Sequence, residues 1–274
     1  MSFRFVTFLT DFGVEDDFVG VCRGVIRTIA PEATVIDLTH GIPPQAVTQG
    51  AIVLARATPY LPVAVHLAVV DPGVGSERRP VAVRTAAGRI FVGPDNGLLM
   101  LAADAEGVEA ARALTNPRYH LARVSRTFHA RDLFAPVAAH LAAGAAFADL
   151  GEEVDAAELV RVDVPRPEVG TGRLLATVLT TDRFGNLALN ARREHLERLG
   201  LELGDWAELQ FALEPYYARV AATYADAEPG TLILYEDSYG SLAIAIRDGN
   251  AARLTAAGPG DRVRIRPAEH GDVR

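Results

Sequence analysis

The sequence has 274 residues, of which 49% are hydrophobic and 23% are charged, a composition typical of a globular protein and not of a disordered chain. Its net charge of −8 excludes the basic surface that attracts nucleic acids or anionic membranes, so we expect neither as a partner. All 27 basic residues are arginine, which excludes a lysine Schiff base and the phosphate-binding lysine of a P-loop.

Three further properties of the sequence indicate the cellular compartment of the protein. No apolar run approaches the roughly 20 residues of a membrane-spanning helix. The N-terminal stretch MSFRFVTFLTDFG enters a strand pattern directly and lacks the layout of a signal peptide. Cys22 is the only cysteine, which excludes an internal disulfide and a cysteine-based metal cluster. We therefore expect a cytoplasmic protein.

Strands and helices alternate along the first half of the chain. The predicted strands cover residues 3–9, 34–38, 63–70, 80–85 and 89–94, and the predicted helices cover 15–30, 44–61 and 131–144. The strands are apolar runs without polar alternation, which is typical of a sheet covered on both faces. Acidic residues are expected in the first turn of helix 15–30, where they suit the helix dipole. The pattern predicts a doubly wound α/β domain over residues 1–155.

The character of the sequence changes after about residue 150. Residues 156–170 are polar and spaced by proline and glycine, as in a linker. Six short strand patterns with turn signals between them follow: RLLATVLTTD, NLALNA, WAELQFAL, TLILYEDS, SLAIAIRD and RVRIRP. They predict a smaller, antiparallel β-barrel-like domain over residues 171–274.

Polar residues follow the first three predicted strands. Asp11 follows the first strand, the stretch 37–40 follows the second, and Asp71 follows the third. Ligands of open α/β sheets bind beyond these strand ends. An unpaired buried carboxylate is costly, so we expect Arg78 or Arg79 to neutralise Asp71 after the intervening turn. The alternatives are that Asp11 caps the following helix and that Asp71 only forms a turn.

Three histidines and a metal site also require interpretation. His40 and His66 are interpreted as structural, since His66 lies inside an apolar strand, and His129 stands where a helix is about to begin. The alternative, a metal bound by Asp71 and His129, is not supported by any paired-ligand spacing such as H-x-x-x-H. We therefore predict no metal site.

Six motifs occur in order: TDFG, DPGVGSERR, PDNGLL, TFHARDLFAP, DRFGN and DSYGSLAIA. As a set they resemble the S-adenosyl-L-methionine (SAM) hydroxide adenosyltransferases, the adenosine-forming SAM hydrolases related to fluorinase and SAM chlorinase. The resemblance covers nearly the whole chain. It implies an N-terminal α/β domain followed by a C-terminal β-barrel domain. It also implies a homotrimer whose sites lie between the N-terminal domain of one subunit and the C-terminal domain of the next.

The resemblance further implies a reaction in which water, delivered as hydroxide, attacks C5′ of the SAM ribose and releases adenosine and L-methionine. SAM is then the substrate, and no cofactor is expected. The water-activating residues of the family fall on Asp71, Arg78 and His129. The family motif selects Arg78; spacing alone leaves Arg79 open.

Substrate-binding residues are implied in the same way. Asp11 matches the carboxylate that accepts hydrogen bonds from the ribose hydroxyls. Asp182 and Asn186 match positions that hold the methionine amino group and the adenine edge. Ser238 matches a serine near the methionine carboxylate, and Asn96 lies in a matching loop.

Several departures separate this chain from the halogenases. Those enzymes carry an aromatic residue at the position of Asp71, a serine at the position of Ala130, and a long insertion before the strand RIFVGP. Each difference favours water over halide as the nucleophile. Tyr239 replaces a different polar residue beside Ser238. The alternatives that remain are a SAM-dependent halogenase, such as a chlorinase, and a non-catalytic module that binds SAM or adenosine.

Overall fold

A computed structural model describes residues 2–212 and 214–269. The chain divides into two compact units, the first ending at Asp163 and the second beginning at Val164. This division lies inside the stretch 156–170 that the sequence marks as a linker, while the domain ranges 1–155 and 171–274 stay a prediction. No helix among the described residues has the length and apolar character needed to span a bilayer.

The first unit is built on a mixed sheet. Its strands are β1 (Phe5–Thr10), β2 (Thr34–Thr39), β3 (Val65–Val69), β4 (Pro80–Thr85), β5 (Ile90–Pro94), β6 (Val108–Ala113) and β7 (Glu153–Val154). They lie in the order β2-β1-β3-β5-β4-β6-β7. The pairs β2–β1, β1–β3 and β3–β5 are parallel, and the remaining pairs are antiparallel.

Helices cover both faces of this sheet. They are α1 (Phe18–Ile29), α2 (Val47–Ala57), α3 (Met100–Glu106) and α4 (Ala135–Ala142). Helices α1 and α4 pack in one hydrophobic core, and α2 and α3 pack in the other. Phe8 belongs to the first core and Leu9 to the second, because successive side chains of a strand point to opposite faces. The doubly wound arrangement is thereby confirmed.

All three predicted helices differ from their predictions. The predicted helix 44–61 is α2, Val47–Ala57, followed by a separate 3-10 turn, Thr58–Tyr60. Helix α1 begins at Phe18, so the acidic stretch 15–17 precedes it and the first turn contains no acid, which corrects the predicted position. The predicted helix 131–144 opens as a π-helical turn, Ala130–Phe134, before α4 begins. Pro136 lacks an N–H group, so the carbonyl oxygen of Asp132 is free to accept the N–H of Leu121 at 2.9 Å.

The second unit is a closed barrel. Its strands are β8 (Glu168–Gly170), β9 (Arg173–Thr181), β10 (Leu187–Leu189), β11 (Trp206–Phe211), β12 (Glu214–Val220), β13 (Leu232–Glu236), β14 (Leu242–Ile246) and β15 (Arg262–Pro267). The order is β10-β14-β13-β12-β11-β15-β9-β8, and an additional β9–β10 pairing closes the barrel with β8 outside it. The short helices α5 (Arg193–Glu197) and α6 (Ala251–Thr255) complete this unit. The predicted fold class is confirmed.

The sequence analysis did not predict one strand of the barrel. Strand β12 contains Pro215 and two adjacent tyrosines, and its pattern does not alternate cleanly. It pairs with β13 in parallel, through Arg219–Ile233 and Val220–Leu234, whereas the other pairings of the barrel are antiparallel. A parallel neighbour needs a crossing connection, which residues 221–231 supply.

Candidate active site

Strand β3 delivers Asp71 to the carboxyl edge of the sheet. All five residues of the strand are buried, and the chain reverses immediately after Asp71. The N–H of Val74 donates to the Asp71 carbonyl oxygen at 3.2 Å. Gly75 has a φ of +80°, and a Cβ at that position would lie 2.7 Å from the Arg126 carbonyl oxygen, so the turn requires glycine. The turn returns the chain to Arg78.

Arg78 and Asp71 form a buried, two-point ion pair. Arg78 Nη2 donates to Asp71 Oδ2 at 2.6 Å, and Arg78 Nε donates to Asp71 Oδ1 at 3.1 Å. Each side chain is only 7% exposed. Arg79 instead contacts Asp95, with Nη2 at 2.9 Å from Oδ2, and Glu158. Of the two arginines that the spacing left open, Arg78 neutralises Asp71.

His129 joins this ion pair through the same guanidinium nitrogen. Arg78 Nη2 lies 3.1 Å from His129 Nδ1. A guanidinium can only donate, so Nδ1 is the acceptor and the neutral imidazole carries its proton on Nε2. Arg78 Nη1 is also buried, and it has no hydrogen-bond partner within the part of the chain that the structure describes. After its contacts with Asp71 and His129, the guanidinium thus keeps one buried donor nitrogen without a partner among the described residues.

Burial changes the acidity of both partners of Arg78. Burial raises the pKa of Asp71 above its ordinary value, although the Arg78 guanidinium opposes the shift. Burial lowers the pKa of His129, and the positive charge of Arg78 lowers it further. A carboxylate that is more basic than usual thus stands beside an imidazole that stays neutral near pH 7. Asp71 is suited to take a proton from water.

A cavity of about 620 Å³ in the first unit adjoins these groups. Asp11, Asp71, His129 and Ala130 all line it. The Ala130 methyl group adds no hydrogen-bond donor to the wall. Among residues 2–212 and 214–269, no three histidine, cysteine, aspartate or glutamate side chains are grouped so that they could hold a metal ion.

Asp11 reaches the cavity from the end of β1. Its Oδ2 accepts the backbone N–H of Gln45 at 2.8 Å, and Gln45 adopts a φ of +65°. The N-cap of α1 is Asp17, so the interpretation of Asp11 as the helix cap is wrong. His40 supports this strand end from inside, because its Nδ1 lies 2.8 Å from Thr10 Oγ1.

An aromatic wall of the cavity was missed by the sequence analysis. Phe12, Phe18 and Phe128 meet edge to face, with ring centroids 5.1–6.0 Å apart. The Arg131 guanidinium lies 4.9 Å from the Phe128 ring and is held by an ion pair to buried Asp132. The sequence contained one clue to this wall: Phe12 directly follows Asp11 and Phe128 directly precedes His129, and both neighbours are predicted site residues.

The second unit brings Asp182 and Asn186 together in the turn between β9 and β10. Asp182 Oδ1 accepts the N–H groups of Phe184 and Asn186, each at 2.9 Å. Asp182 Oδ2 accepts from Asn186 Nδ2 at 2.7 Å, and the same nitrogen lies 3.2 Å from the Tyr224 hydroxyl. These contacts fix the shape of the turn.

Ser238 lies in a different turn of the barrel, between β13 and β14. There Asp237 Oδ1 accepts the N–H groups of Tyr239 and Ser241 at 2.8 and 2.9 Å. Ser238 therefore lies in a different turn of the barrel from Asp182 and Asn186.

Asn96 makes its side-chain contacts with the backbone of its own unit. Its Nδ2 donates to the Val70 carbonyl oxygen at 2.9 Å, and its Oδ1 accepts the N–H of Leu98 at 3.2 Å. Asn96 is not among the residues that line the 620 Å³ cavity. Its substrate-binding role stays a prediction.

Comparisons with known proteins agree with this architecture. The family described as the SAM hydroxide adenosyltransferase N-terminal domain matches residues 6–151, and the corresponding C-terminal domain family matches residues 176–264. The (R)-S-adenosyl-L-methionine hydrolase of Salinispora arenicola is 50% identical over 96% of this chain and 98% of that protein. The fluorinase of an Actinoplanes species is 30% identical over 91% of this chain and 92% of that protein.

A solved structure gives the same result for the fold. An uncharacterized conserved protein from Thermotoga maritima superimposes with a TM-score of 0.89 at 34% identity, covering 95% of this chain and 99% of that one. The fold and the site thus define a two-domain protein with a carboxylate, a guanidinium and an imidazole beside an α/β-domain cavity. The chain belongs to the SAM hydroxide adenosyltransferase family.

Replacing Arg78 by glutamine should raise the pKa of His129. The substitution removes a positive charge that disfavours the imidazolium and leaves the Asp71 charge uncompensated, and both changes favour protonation. The pKa is measured by NMR titration of the imidazole Cε1–H signal, assigned with His129→Gln. Arg112→Gln is the control, because Arg112 is paired with Glu153, at 3.1 Å between Nη2 and Oε2, and contacts none of these groups. An equal His129 pKa in both variants would contradict the proposed bridge.

Proposed function

We propose that this chain hydrolyses SAM to adenosine and L-methionine, with SAM as substrate and without a cofactor. The observation that carries the proposal is the Arg78 guanidinium bonded to both Asp71 and His129 beside the cavity. Membership of the family supports it, as does the 50% identity to a protein named (R)-S-adenosyl-L-methionine hydrolase.

The chemistry requires help for the nucleophile and little for the leaving group. The positive sulfonium already activates departure of methionine. Water is a poor nucleophile and must lose a proton as it attacks. In the proposed step, a water oxygen forms a bond to C5′ while the C5′–S bond breaks. The bonding electrons go to sulfur, which becomes the neutral thioether of methionine, and the water proton goes to Asp71.

The other two side chains orient and stabilise the nucleophile. Because His129 Nδ1 accepts from Arg78, its Nε2–H is a donor that can hold the water oxygen. The positive charge of buried Arg78 is proposed to stabilise the hydroxide-like charge, with Nη1 as the donor that its other contacts leave unused. We therefore assign proton acceptance to Asp71 and positioning of the water to His129 and Arg78.

Binding of the substrate is proposed for residues of both units. The Asp11 carboxylate has two acceptor oxygens and suits the ribose hydroxyls. Asp182, Asn186 and Ser238 are proposed to hold the methionine and adenine ends. We also propose a homotrimer in which each site combines Asp11 of one subunit with Asp182 of the next, which rests on the resemblance.

A cytoplasmic location is proposed as well. Its support is the single cysteine, Cys22, which leaves the chain without an internal disulfide.

A halogenase and a non-catalytic binding module are less well supported. A halide in the place of water would meet the Asp71 carboxylate, which repels an anion, and the Ala130 methyl, which cannot donate a hydrogen bond. Binding alone would not require a carboxylate whose pKa is raised by burial beside a retained guanidinium donor.

Incubation with SAM tests the proposed reaction directly. We expect adenosine and L-methionine in equal amounts, with the same products when chloride is added. EDTA should not change the rate, since side chains supply the proton acceptor and the charge stabilisation. Product analysis by chromatography and mass spectrometry gives the answer. 5′-Chloro-5′-deoxyadenosine as the main product would establish a halogenase, and unaltered SAM would support the binding module.

Asp71→Asn should bind SAM and lose turnover. The amide keeps the shape of the carboxylate but cannot accept the water proton, and loss of a general base typically costs about 10²–10⁴ in rate. Single-turnover release of adenosine and calorimetric SAM binding are measured together. Asp104→Asn is the matched control, because Asp104 and Arg161 form a two-point ion pair at 2.8 and 3.0 Å outside the cavity. If Asp71→Asn and Asp104→Asn released adenosine at similar rates, Asp71 would only form the turn and would not accept the proton.

The proposed shared site predicts rescue between two inactive variants. Asp11→Ala and Asp182→Ala should each be inactive alone. In mixed oligomers, some sites draw both intact halves from different subunits, so adenosine release should partly return. The variants are co-refolded, and subunit exchange is verified with differently tagged chains. Exchange without recovery of activity would rule out the shared site.

A further inference from the structure

The segment that leaves strand β5 lies between the two strand ends that carry the ion pair. In the sheet, β5 is flanked by β3 on one side and β4 on the other. Asp71 follows β3, Arg78 precedes β4, and the residues directly after β5 are Asp95 and Asn96. The motif PDNG therefore occupies a central position that neither the mechanism nor the cavity lining explains.

Asn96 forms a hydrogen bond to the segment that follows β3. Its Nδ2 donates to the carbonyl oxygen of Val70, the residue before Asp71, at 2.9 Å. The amide is itself fixed, because Oδ1 accepts the N–H of Leu98 at 3.2 Å. The peptide that joins Val70 to Asp71 is thus held by a side chain from the neighbouring strand end.

Asp95 contacts Arg79, the residue that precedes β4. Its side chain is 3% exposed and accepts from Arg79, the residue after Arg78, with Nε at 3.0 Å and Nη2 at 2.9 Å from Oδ2. The Asp95 N–H donates to the Arg79 carbonyl oxygen at 2.9 Å. Asp95 Oδ1 accepts the N–H of Val160 at 2.8 Å, which anchors the carboxylate.

The turn between Asp71 and Arg78 needs such support. Pro72 and residues 75–77 are exposed, so no core packing fixes the middle of this turn. Inside the turn, Ser76 Oγ donates to the Gly73 carbonyl oxygen at 2.7 Å and accepts the N–H of Arg78 at 3.2 Å. Further support acts where the turn begins and where it ends. Asp95 and Asn96 act at those two points.

We propose that Asp95 and Asn96 are positioning residues that hold Asp71 and Arg78 in their two-point geometry by fixing Val70 and Arg79. On this account Asn96 acts through Asp71 and does not contact substrate. The kinetic part of the proposal rests on the proposed hydrolase function. A displacement of about 1 Å in a catalytic group can cost about a hundredfold in rate, so a change at either residue should reduce turnover.

Asn96→Asp tests the proposal with little change in side-chain volume. It removes the donor to Val70 and places a carboxylate oxygen against the carbonyl oxygen. Asn116→Asp is the matched control, because Asn116 Nδ2 donates to the Asp149 carbonyl oxygen at 2.6 Å and its Oδ1 accepts the N–H of Arg118 at 3.1 Å. We expect kcat of Asn96→Asp to fall about tenfold to a hundredfold with KM within about twofold, while Asn116→Asp keeps both values.

A second measurement separates positioning from a general loss of structure. In the Asp71→Asn background, Asn96→Asp should cause no further loss of single-turnover rate, since the group it positions is already absent. Three results would overturn the proposal: equal kcat for Asn96→Asp and Asn116→Asp, a rise in KM with kcat retained, or the same fold-loss in the Asp71→Asn background. The rise in KM would indicate substrate contact.

Two further measurements keep the test decisive. If Asn96→Asp does not fold, Asp95→Asn is compared with Asp104→Asn under the same criteria. If the wild-type protein releases no adenosine, the proposed function fails, and the Asp71 carboxyl titration is followed by carbon-13 NMR instead. A pKa of Asp71 that changes in Asn96→Ser but not in Asn116→Ser, two variants that add no charge, supports positioning without catalysis. An unchanged pKa overturns positioning as well.

Discussion

The buried ion pair between Arg78 and Asp71 is the interaction on which the rest of the site depends. Removing each charge from water costs several kcal/mol, and only good geometry with further hydrogen bonds offsets that cost. The two-point contact at 2.6 and 3.1 Å provides the geometry, and His129 provides the additional acceptor. The glycine turn after β3 and the place of β5 between β3 and β4 both serve to bring these groups together.

The same burial assigns different chemical roles to neighbouring groups. It raises the pKa of Asp71, which becomes a better proton acceptor, and lowers the pKa of His129, which remains a neutral donor at Nε2. Arg78 is bonded to both and keeps one buried donor. Environments that shift two titratable groups in opposite directions are a general means of separating an acceptor from a donor in one site.

The local sequence pattern predicted the strands and helices that are apolar and regular. It failed where contacts between residues far apart in the sequence determine the strand or the side-chain partner. The predicted strands 63–70 and 89–94 became β3 and β5, because their apolar runs are buried at every position. Strand β12 was missed because its residues range from exposed to buried without a clean alternation. Its place in the barrel depends on parallel pairing with β13, which is a tertiary contact. The choice between Arg78 and Arg79 depends on Asp95, and the contact of Asn96 depends on strand order, which no local pattern contains.

The pH dependence of kcat/KM tests the central claim, that Asp71 and not His129 accepts the proton of water. Because the carboxylate must be ionised, activity should fall as the pH falls through the raised pKa of Asp71. The acid limb of the profile should persist in His129→Gln, at a lower overall rate, and disappear from the residual activity of Asp71→Asn. An acid limb that disappears in His129→Gln and persists in Asp71→Asn would contradict this account.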